Sequence, residues 1–241
     1  MRTVVTFGEL LLRLMPEGYT RFVQADRFGV VYGGAEANVA VTLANFGVES
    51  RYVTKLPNNE IGQAAVNSLR RYGVDTSYIV RGGERVGIYF LEKGASQRGS
   101  LCIYDRAHSS ISEASADDFD WNRIFDGAGW FHITGVTPAL GENTSRICLE
   151  ACKKAKSEGI TVSCDLNYRE KLWDRKLARK IMTELSQYVD VCFCNEEDAK
   201  NVFDIGTVSA DTDTGKLDRE QYGKTAAQLA ADLDAMYPPC H

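Results

Sequence analysis

The sequence predicts an α/β protein with a doubly wound, mostly parallel sheet and a small antiparallel β lid. Three observations predict this fold. Strand-like and helix-like segments alternate in the first and last thirds of the chain, which is typical of a parallel sheet with crossover helices. Between them, three strand-like segments follow one another without helices. Gly47, Gly73 and Gly159 stand where predicted helices stop.

The first part of the chain begins with a strand-like run at Thr3–Phe7 and continues with a second apolar stretch at Leu10–Met15. Residues Ala35–Phe46 place small apolar side chains on one helical face, which predicts a helix. A strand at Arg51–Thr54 and a helix at Glu60–Tyr72 follow. This order of strands and helices predicts the parallel sheet.

The middle of the chain breaks this pattern. Tyr78–Val80, Gly87–Glu92 and Ser100–Tyr104 are strand-like and are separated by glycine-containing turns. They predict an antiparallel insertion, with which the mixed segment Tyr19–Tyr32 could pair. The predicted lid therefore comprises about residues 10–32 and 78–108. A sheet this small needs an apolar partner, so we expect it to pack on the main domain or to form a homodimer through the lid.

The α/β pattern resumes with predicted strands at Trp130–Thr134, Ile160–Leu166 and Val189–Cys194, and predicted helices at Thr144–Ser157, Glu196–Phe203 and Arg219–Met236. Another helix follows Asp174, which is suited to cap it, and the spacing of Leu177, Ile181 and Leu185 predicts one buried stripe. Residues 1–241 contain no internal repeat and are predicted to form a single domain.

Composition limits the possible partners. Hydrophobic residues make up 44% and charged residues 25%, and the net charge is −5. An acidic protein is a poor nucleic-acid binder, and no apolar run is long enough for a membrane span, so we expect neither partner. Small acidic molecules can still bind where arginines gather. The seven cysteines lack a CxxC pair and favour buried thiols in a reducing cytoplasm over the alternative, a metal site.

The most informative motif is Gly33-Gly34-Ala35-Glu36-Ala37-Asn38. A glycine pair before a helix leaves backbone N–H groups accessible to a ligand. Asn38, one turn later, offers a donor and an acceptor to a sugar hydroxyl. Taken alone, this motif could equally be a tight packing turn.

The longer string resembles the amino-terminal signature of the ribokinase-like (phosphofructokinase-B type) carbohydrate kinases. The resemblance continues through Thr54–Gly62, through Asp165–Arg169 and through Asn195–Ala199, and it covers essentially the whole chain. Pro57 replaces a glycine that is common in the family, a departure associated with the branch that acts on 2-keto-3-deoxygluconate. The resemblance implies an α/β domain beneath a β lid, with the sugar bound between them.

The resemblance also implies which residues bind the sugar. Gly33, Gly34, Ala35 and Asn38 would contact its hydroxyl groups, and the lid would close over it with Tyr89, Tyr104 and Arg106. Arg169 would contact an acid sugar from the end of a parallel strand, where ligands gather in open α/β sheets. The alternative for these arginines and tyrosines is a solvated or packing role.

For the nucleotide, the resemblance implies ATP. Asp165 and Asn167 would lie between ATP and the sugar, and Asn195 would also bind the nucleotide. Asn195-Glu196-Glu197-Asp198 is similar to the family's Asn-x-x-Glu element, which organises Mg²⁺ through water. Asp198 stands where Glu is usual, so Glu197 could substitute for it. The alternative is an acidic cluster that only complements the helix dipole.

The family's Gly-Ala-Gly-Asp element, which supplies the general base, does not occur in residues 1–241. We therefore expect the catalytic Asp beyond residue 241, a carboxy-terminally incomplete fold and an inactive chain. The predicted activity of the complete enzyme is transfer of the ATP γ-phosphate to the terminal hydroxyl of 2-keto-3-deoxygluconate. The alternatives are fructokinase or another neutral-sugar kinase, and a non-catalytic sugar-binding relative.

Overall fold

The computed structural model describes residues 2–205 and the helical positions 223, 227 and 230–232. The helix predicted over Arg219–Met236 therefore lies almost entirely outside the described residues. Within the described part, no helix has the length and apolarity needed to cross a bilayer.

The described residues form eleven strands and six α-helices. The strands are β1 (Thr3–Phe7), β2 (Leu11–Met15), β3 (Gly29–Gly33), β4 (Ser50–Val53), β5 (Lys55–Leu56), β6 (Val80–Arg81), β7 (Ile88–Glu92), β8 (Leu101–Asp105), β9 (Ala128–Thr134), β10 (Thr161–Asp165) and β11 (Val191–Phe193). The helices are α1 (Ala35–Asn45), α2 (Glu60–Arg70), α3 (Trp121–Ile124), α4 (Glu142–Ser157), α5 (Arg175–Ser186) and α6 (Glu196–Phe203).

Five strands form the parallel sheet of the main domain, in the order β11-β10-β9-β1-β4. One core cluster joins its apolar side chains to α4 and α5, through residues such as Ile147 and Met182. A second cluster contains Ala40 of α1 and Leu69 of α2. This burial on both sides confirms the predicted doubly wound α/β fold.

A separate four-stranded sheet, here called the lid, has the order β3-β2-β7-β8. Its β2–β3 and β7–β8 pairs are antiparallel, as predicted, whereas the central β2–β7 pair is parallel. Two separate passages of the chain therefore build the lid, and they meet in its middle.

The predicted strand at Tyr78–Val80 is not a lid strand. It corresponds to β6, which pairs in parallel with β5 in a two-stranded sheet. The backbone N–H of Val80 donates to the carbonyl of Thr54 at 2.9 Å, and that of Gly82 donates to Leu56 at 2.9 Å. These bonds hold β6 beside β5, the short strand that directly follows β4. The second passage of the chain through the lid therefore begins only with β7.

Helix α5 begins as predicted, because the Asp174 side chain accepts a hydrogen bond from the Leu177 N–H at 2.8 Å. Its buried stripe differs from the prediction. Leu177 is 45% exposed, and the buried residues are Ala178, Met182 and Leu185. Ala178, in the same turn, is fully buried, so Leu177 is exposed because it lies about 100° around the helix from the buried face.

Candidate active site

A cleft of about 1240 Å³ lies between the lid and the carboxyl ends of the parallel strands. The structure brings all the site residues predicted from the sequence to the lining of this one cleft. They are Gly33, Gly34, Ala35, Asn38, Tyr89, Tyr104, Arg106, Asp165, Asn167, Arg169, Asn195, Glu197 and Asp198. Their individual roles stay predictions.

The glycine pair connects the lid strand β3 directly to α1. No side chain caps α1 at Gly34, and the Asn38 N–H donates to the Gly34 carbonyl at 2.8 Å. A Cβ on Gly34 would lie 2.0 Å from the carbonyl oxygen of Glu9. Glycine is required here because two backbone passages touch at the floor of the cleft.

The cleft face of the lid presents one row of side chains across its strands. Arg13 on β2 is in register with Val31 on β3 and with Tyr89 on β7, and Tyr89 is in register with Tyr104 on β8. Residues in register share a face of a sheet, and all four line the cleft. The two tyrosine rings are 5.9 Å apart.

Arg106 lies next to this row and is held by a buried carboxylate. Its Nε donates to Glu9 Oε2 at 2.8 Å, and its Nη2 donates to the same oxygen. The Ser109 hydroxyl donates to the other oxygen, Oε1, at 2.8 Å. The side chains of Arg106 and Glu9 are 11% and 2% exposed, so this is a buried ion pair at the rim of the lid.

A second buried carboxylate, Glu36, lies on the opposite side of the glycine pair. Its Oε1 accepts hydrogen bonds from the Thr134 N–H at 3.1 Å, the Thr134 hydroxyl at 2.7 Å and the Thr137 hydroxyl at 2.8 Å. Its carboxylate lies directly against Gly8, where a Cβ would be 2.2 Å from Oε2. Burial raises the pKa of Glu36, and the hydrogen bonds from the threonines partly oppose that rise.

The carboxyl end of β10 supplies Asp165, Asn167 and Arg169 to the cleft. Burial raises the pKa of Asp165, and the positive charge of Arg169 opposes the rise. Asn167 has φ +39°, a conformation that Asn tolerates better than most residues and that is often found at functional sites. Arg169 is exposed, and its side chain forms no ion pair with another described residue.

Helix α6 begins at the carboxyl end of β11. The Asn195 side chain caps it by accepting from the Asp198 N–H at 2.7 Å. Asp198 Oδ1 in turn accepts from the Tyr168 N–H at 3.2 Å, which ties this helix to the β10 loop. Burial raises the pKa of Asp198, and the negative charges of Asp165 and Glu197 add to the rise.

The described residues contain no cluster of three His, Cys, Asp or Glu side chains arranged to hold a metal ion. Asp198 and Asp165 nevertheless interact electrostatically in the cleft, together with Glu197. This arrangement fits a Mg²⁺ ion that keeps its waters and is held mainly by phosphate oxygens, and it does not fit an all-protein cage.

The cleft residues that were not predicted from the sequence include three charged ones of particular interest: Glu9, Arg13 and Glu36. Glu9 and Glu36 find their partners 97 to 101 residues away along the chain, so local patterns could not predict them. A charged residue among small apolar ones, as at Glu36 in the first turn of α1, is the signal that could have found one of them.

Several known proteins are similar to this chain. The crystal structure of 2-dehydro-3-deoxygluconokinase from Thermotoga maritima superposes with a TM-score of 0.92 at 52% identity, over 97% of this chain and 70% of that one. The Haloferax volcanii 2-dehydro-3-deoxygalactonokinase is 33% identical over 231 residues, 96% of this chain and 68% of that protein. A sugar kinase from Pyrococcus horikoshii, crystallised in complex with ATP, has a TM-score of 0.74 at 25% identity, over 83% of this chain and 66% of that one.

The chain is shorter than these relatives. It spans 68%, 52% and 61% of the length of three curated relatives. The family model of the pfkB carbohydrate kinases matches residues 1–221, and that match includes the glycine pair, the lid and both strand-end loops. The chain therefore belongs to the pfkB family of carbohydrate kinases.

Proposed function

We propose that this protein serves the ATP-dependent phosphorylation of 2-keto-3-deoxygluconate (2-dehydro-3-deoxygluconate) at its terminal hydroxyl. The observation that supports it best is the combination, in one cleft, of the glycine pair with Arg169 and the phenol groups of the lid. A sugar acid needs hydroxyl partners at one end and a cation at the other. Two relatives whose names refer to 2-dehydro-3-deoxy sugar acids support the same substrate class.

In this proposal the sugar lies across the cleft floor. The N-terminal amides of α1 and the Asn38 side chain bind its hydroxyl groups, with Gly33, Gly34 and Ala35 leaving room for close approach. Tyr89 and Tyr104 cover it from the lid. Arg169, which has no ion-pair partner among the described residues, binds the carboxylate through its guanidinium fork.

For the nucleotide, we propose that Asp165, Asn167 and Asn195 lie on the ATP side of the sugar. They line the cleft at the carboxyl ends of β10 and β11, as expected for a ligand of an open α/β sheet. ATP with Mg²⁺ would supply the phosphoryl group and neutralise its charge. Asp198 and Glu197 are placed to bind the waters of that ion.

We further propose that the lid forms a homodimer through the face that points away from the cleft. This face carries Val30, 59% exposed, and Ile103, 48% exposed, in register with Leu14 and Phe90 between them. An apolar sheet face of this kind is stabilised when another apolar surface packs against it. Replacement of Val30 by Glu should shift the mass measured by light scattering from dimer to monomer, and a wild-type monomer at high concentration would exclude this assembly.

The proposed compartment is the cytoplasm, where thiols stay reduced. Cys148, Cys152 and Cys164 are free and buried in the main core, and burial raises the pKa of each thiol, which keeps it unreactive.

Calorimetric titration of the chain tests the sugar assignment, because all the proposed sugar contacts come from residues that line the cleft. The ligands are 2-keto-3-deoxygluconate, its galactonate epimer and fructose. We expect selective binding of the acids, and a loss of about 10- to 100-fold in Arg169→Gln, since a hydrogen bond to a charged group is worth about 1.5–3 kcal/mol. The matched control is Arg27→Gln, an exposed lid residue outside the cleft.

Each other outcome has a defined meaning. Preference for fructose would favour the neutral-sugar kinase and remove the role of Arg169. Preference for the galactonate epimer would keep the acid site and change the sugar. ADP release from this chain, with the acid, ATP and Mg²⁺ present, would contradict the expectation that it is inactive.

A further inference from the structure

Arg13 occupies the centre of the lid face that covers the cleft. It is in register with Val31 on one side and with Tyr89 on the other, on the central strand β2. Its side chain lines the same cleft as Tyr89 and Tyr104. A strand interior in the middle of a sheet is a costly place for a guanidinium, because long charged side chains lose rotamer freedom and water there.

The donors of Arg13 are not used by the part of the chain that the structure describes. Its Nε is buried and has no hydrogen-bond partner, and its side chain forms no ion pair among residues 2–205. A buried polar atom without a partner is uncommon and calls for an explanation. A ligand oxygen in the cleft would provide the hydrogen-bond partner that this atom lacks.

Arg106 makes a contrast on the same face. Two of its nitrogens already donate to Glu9, and the pair is almost fully buried. Its charge is therefore balanced inside the protein, and a second anion at this position would compete with Glu9. An anionic ligand gains more from a guanidinium that has no protein carboxylate beside it.

We propose that Arg13 binds the anionic group of the substrate, so that Arg13 acts together with Arg169 in determining the preference for a sugar acid. This inference rests on the proposed function. Arg13 lies on the lid, whereas the residues proposed for the nucleotide lie at the ends of β10 and β11, so the sugar carboxylate and not an ATP phosphate is its ligand.

The test uses two probes of the same shape: 2-keto-3-deoxygluconate and its C1 amide, which is neutral. Arg13→Gln should weaken binding of the acid by about 10- to 100-fold and leave binding of the amide within about twofold. Arg13→Lys should recover part of the loss, because it keeps the charge without the fork. Arg27→Gln, an exposed lid arginine, should leave both affinities unchanged.

The outcomes separate this inference from the proposed function. If wild type binds the acid and Arg169→Gln weakens it, but Arg13→Gln does not, only the role of Arg13 is overturned. Equal weakening of acid and amide would show a packing role and would also overturn it. Weaker binding of ATP, with the acid unaffected, would assign Arg13 to phosphate instead. A wild-type chain that binds no sugar acid overturns both proposals.

Unfolding in denaturant accompanies each titration. An Arg13→Gln variant with an unchanged midpoint and a selective loss of acid binding supports the proposal. If Arg13→Gln does not fold, the Arg13→Lys variant is used in its place. A loss of acid binding of about fivefold or more, with amide binding unaffected, supports the proposal, because lysine keeps the charge and lacks the guanidinium fork. Unchanged binding of the acid overturns the proposal.

Discussion

The two walls of the cleft differ in the chemical groups that they present. The lid contributes guanidinium and phenol groups from Arg13, Arg106, Tyr89 and Tyr104, whereas the main domain contributes carboxylates from Asp165, Glu197 and Asp198. The main domain also contributes the cations Arg169, Lys171 and Arg175, and the lid also contributes the carboxylate of Asp105. The guanidinium and phenol groups of the lid can hold an anionic sugar, while the carboxylates of the main domain can hold a phosphate-bound cation.

The two walls also stabilise their buried carboxylates differently. Glu9 lies beneath the lid and is paired with the cation Arg106. Glu36 lies against the main sheet and accepts only neutral donors, from Thr134 and Thr137. The neutral donors around Glu36 only partly oppose the rise that burial causes in its pKa. The two glutamates are expected to respond differently to mutation, because only Glu9 loses a charged partner when its neighbour is replaced.

The largest effect should come from removing the cation of the first pair. Arg106→Met leaves Glu9 buried without its partner, and we expect a loss of about 3 kcal/mol in the free energy of unfolding. Urea denaturation measures it, with Arg27→Met as the control for the lost charge. The double variant Glu9→Gln with Arg106→Met should recover part of the loss, and a purely additive double mutant would show that the two residues are not coupled.

A smaller loss is expected at the second carboxylate. Glu36→Ala leaves the Thr134 N–H without its acceptor and opens a cavity against Gly8, which should cost about 2 kcal/mol. Glu60→Ala, at an exposed position in the first turn of α2, provides the comparison. Equal stability of the two variants would mean that the threonine bonds add nothing.

Single neutral hydrogen bonds should matter about equally on both walls. Ser109→Ala removes one bond to Glu9, and Thr137→Val removes one bond to Glu36. Each should lower the free energy of unfolding by about 1 kcal/mol. A loss at Thr137 at least twice that at Ser109 would indicate that Glu36 depends on its neutral donors more strongly than Glu9, whose charge is balanced by Arg106.

The smallest effect is expected from a change of pH, because hydrogen bonds offset part of the rise that burial causes in the pKa of Glu36. Its pKa is raised in the folded protein from the ordinary 4.5, so the folded state binds a proton more tightly than the unfolded state does. Its contribution to stability is complete below pH 4.5 and declines as pH rises towards the folded pKa. The stability of wild type relative to Glu36→Gln should therefore fall as the pH rises above 4.5, and a difference that grows with rising pH would contradict the assignment.

Local sequence signals predicted much of this structure. Helix α6 has its predicted bounds, Glu196–Phe203, and the predicted cap at Asp174 is present. The site residues were predicted mainly from the family resemblance, and those after β10 and β11 also follow strand ends, which meet at one edge of a parallel sheet. The structure gathers them in one cleft, while their roles await the binding experiments.

What the sequence did not reveal depends on distant contacts. Val80 pairs with β5 because of the backbone geometry after β4, which no periodicity describes. Leu177 fits a helical stripe, but the packed face of the helix runs through its neighbour Ala178. The bonds of Glu9 and Glu36 join residues about a hundred positions apart. Each of these features is determined by tertiary contacts, which local sequence patterns do not describe.

The contact between Gly34 and Glu9 has a mechanical consequence. The chain enters the lid after Glu9 and returns from its first passage at Gly34, and the two backbones touch there. The second passage is tied to the same point, because Arg106, two residues after Tyr104, donates to the Glu9 side chain. Glu9 is therefore a shared anchor for both passages of the lid, next to the proposed sugar site.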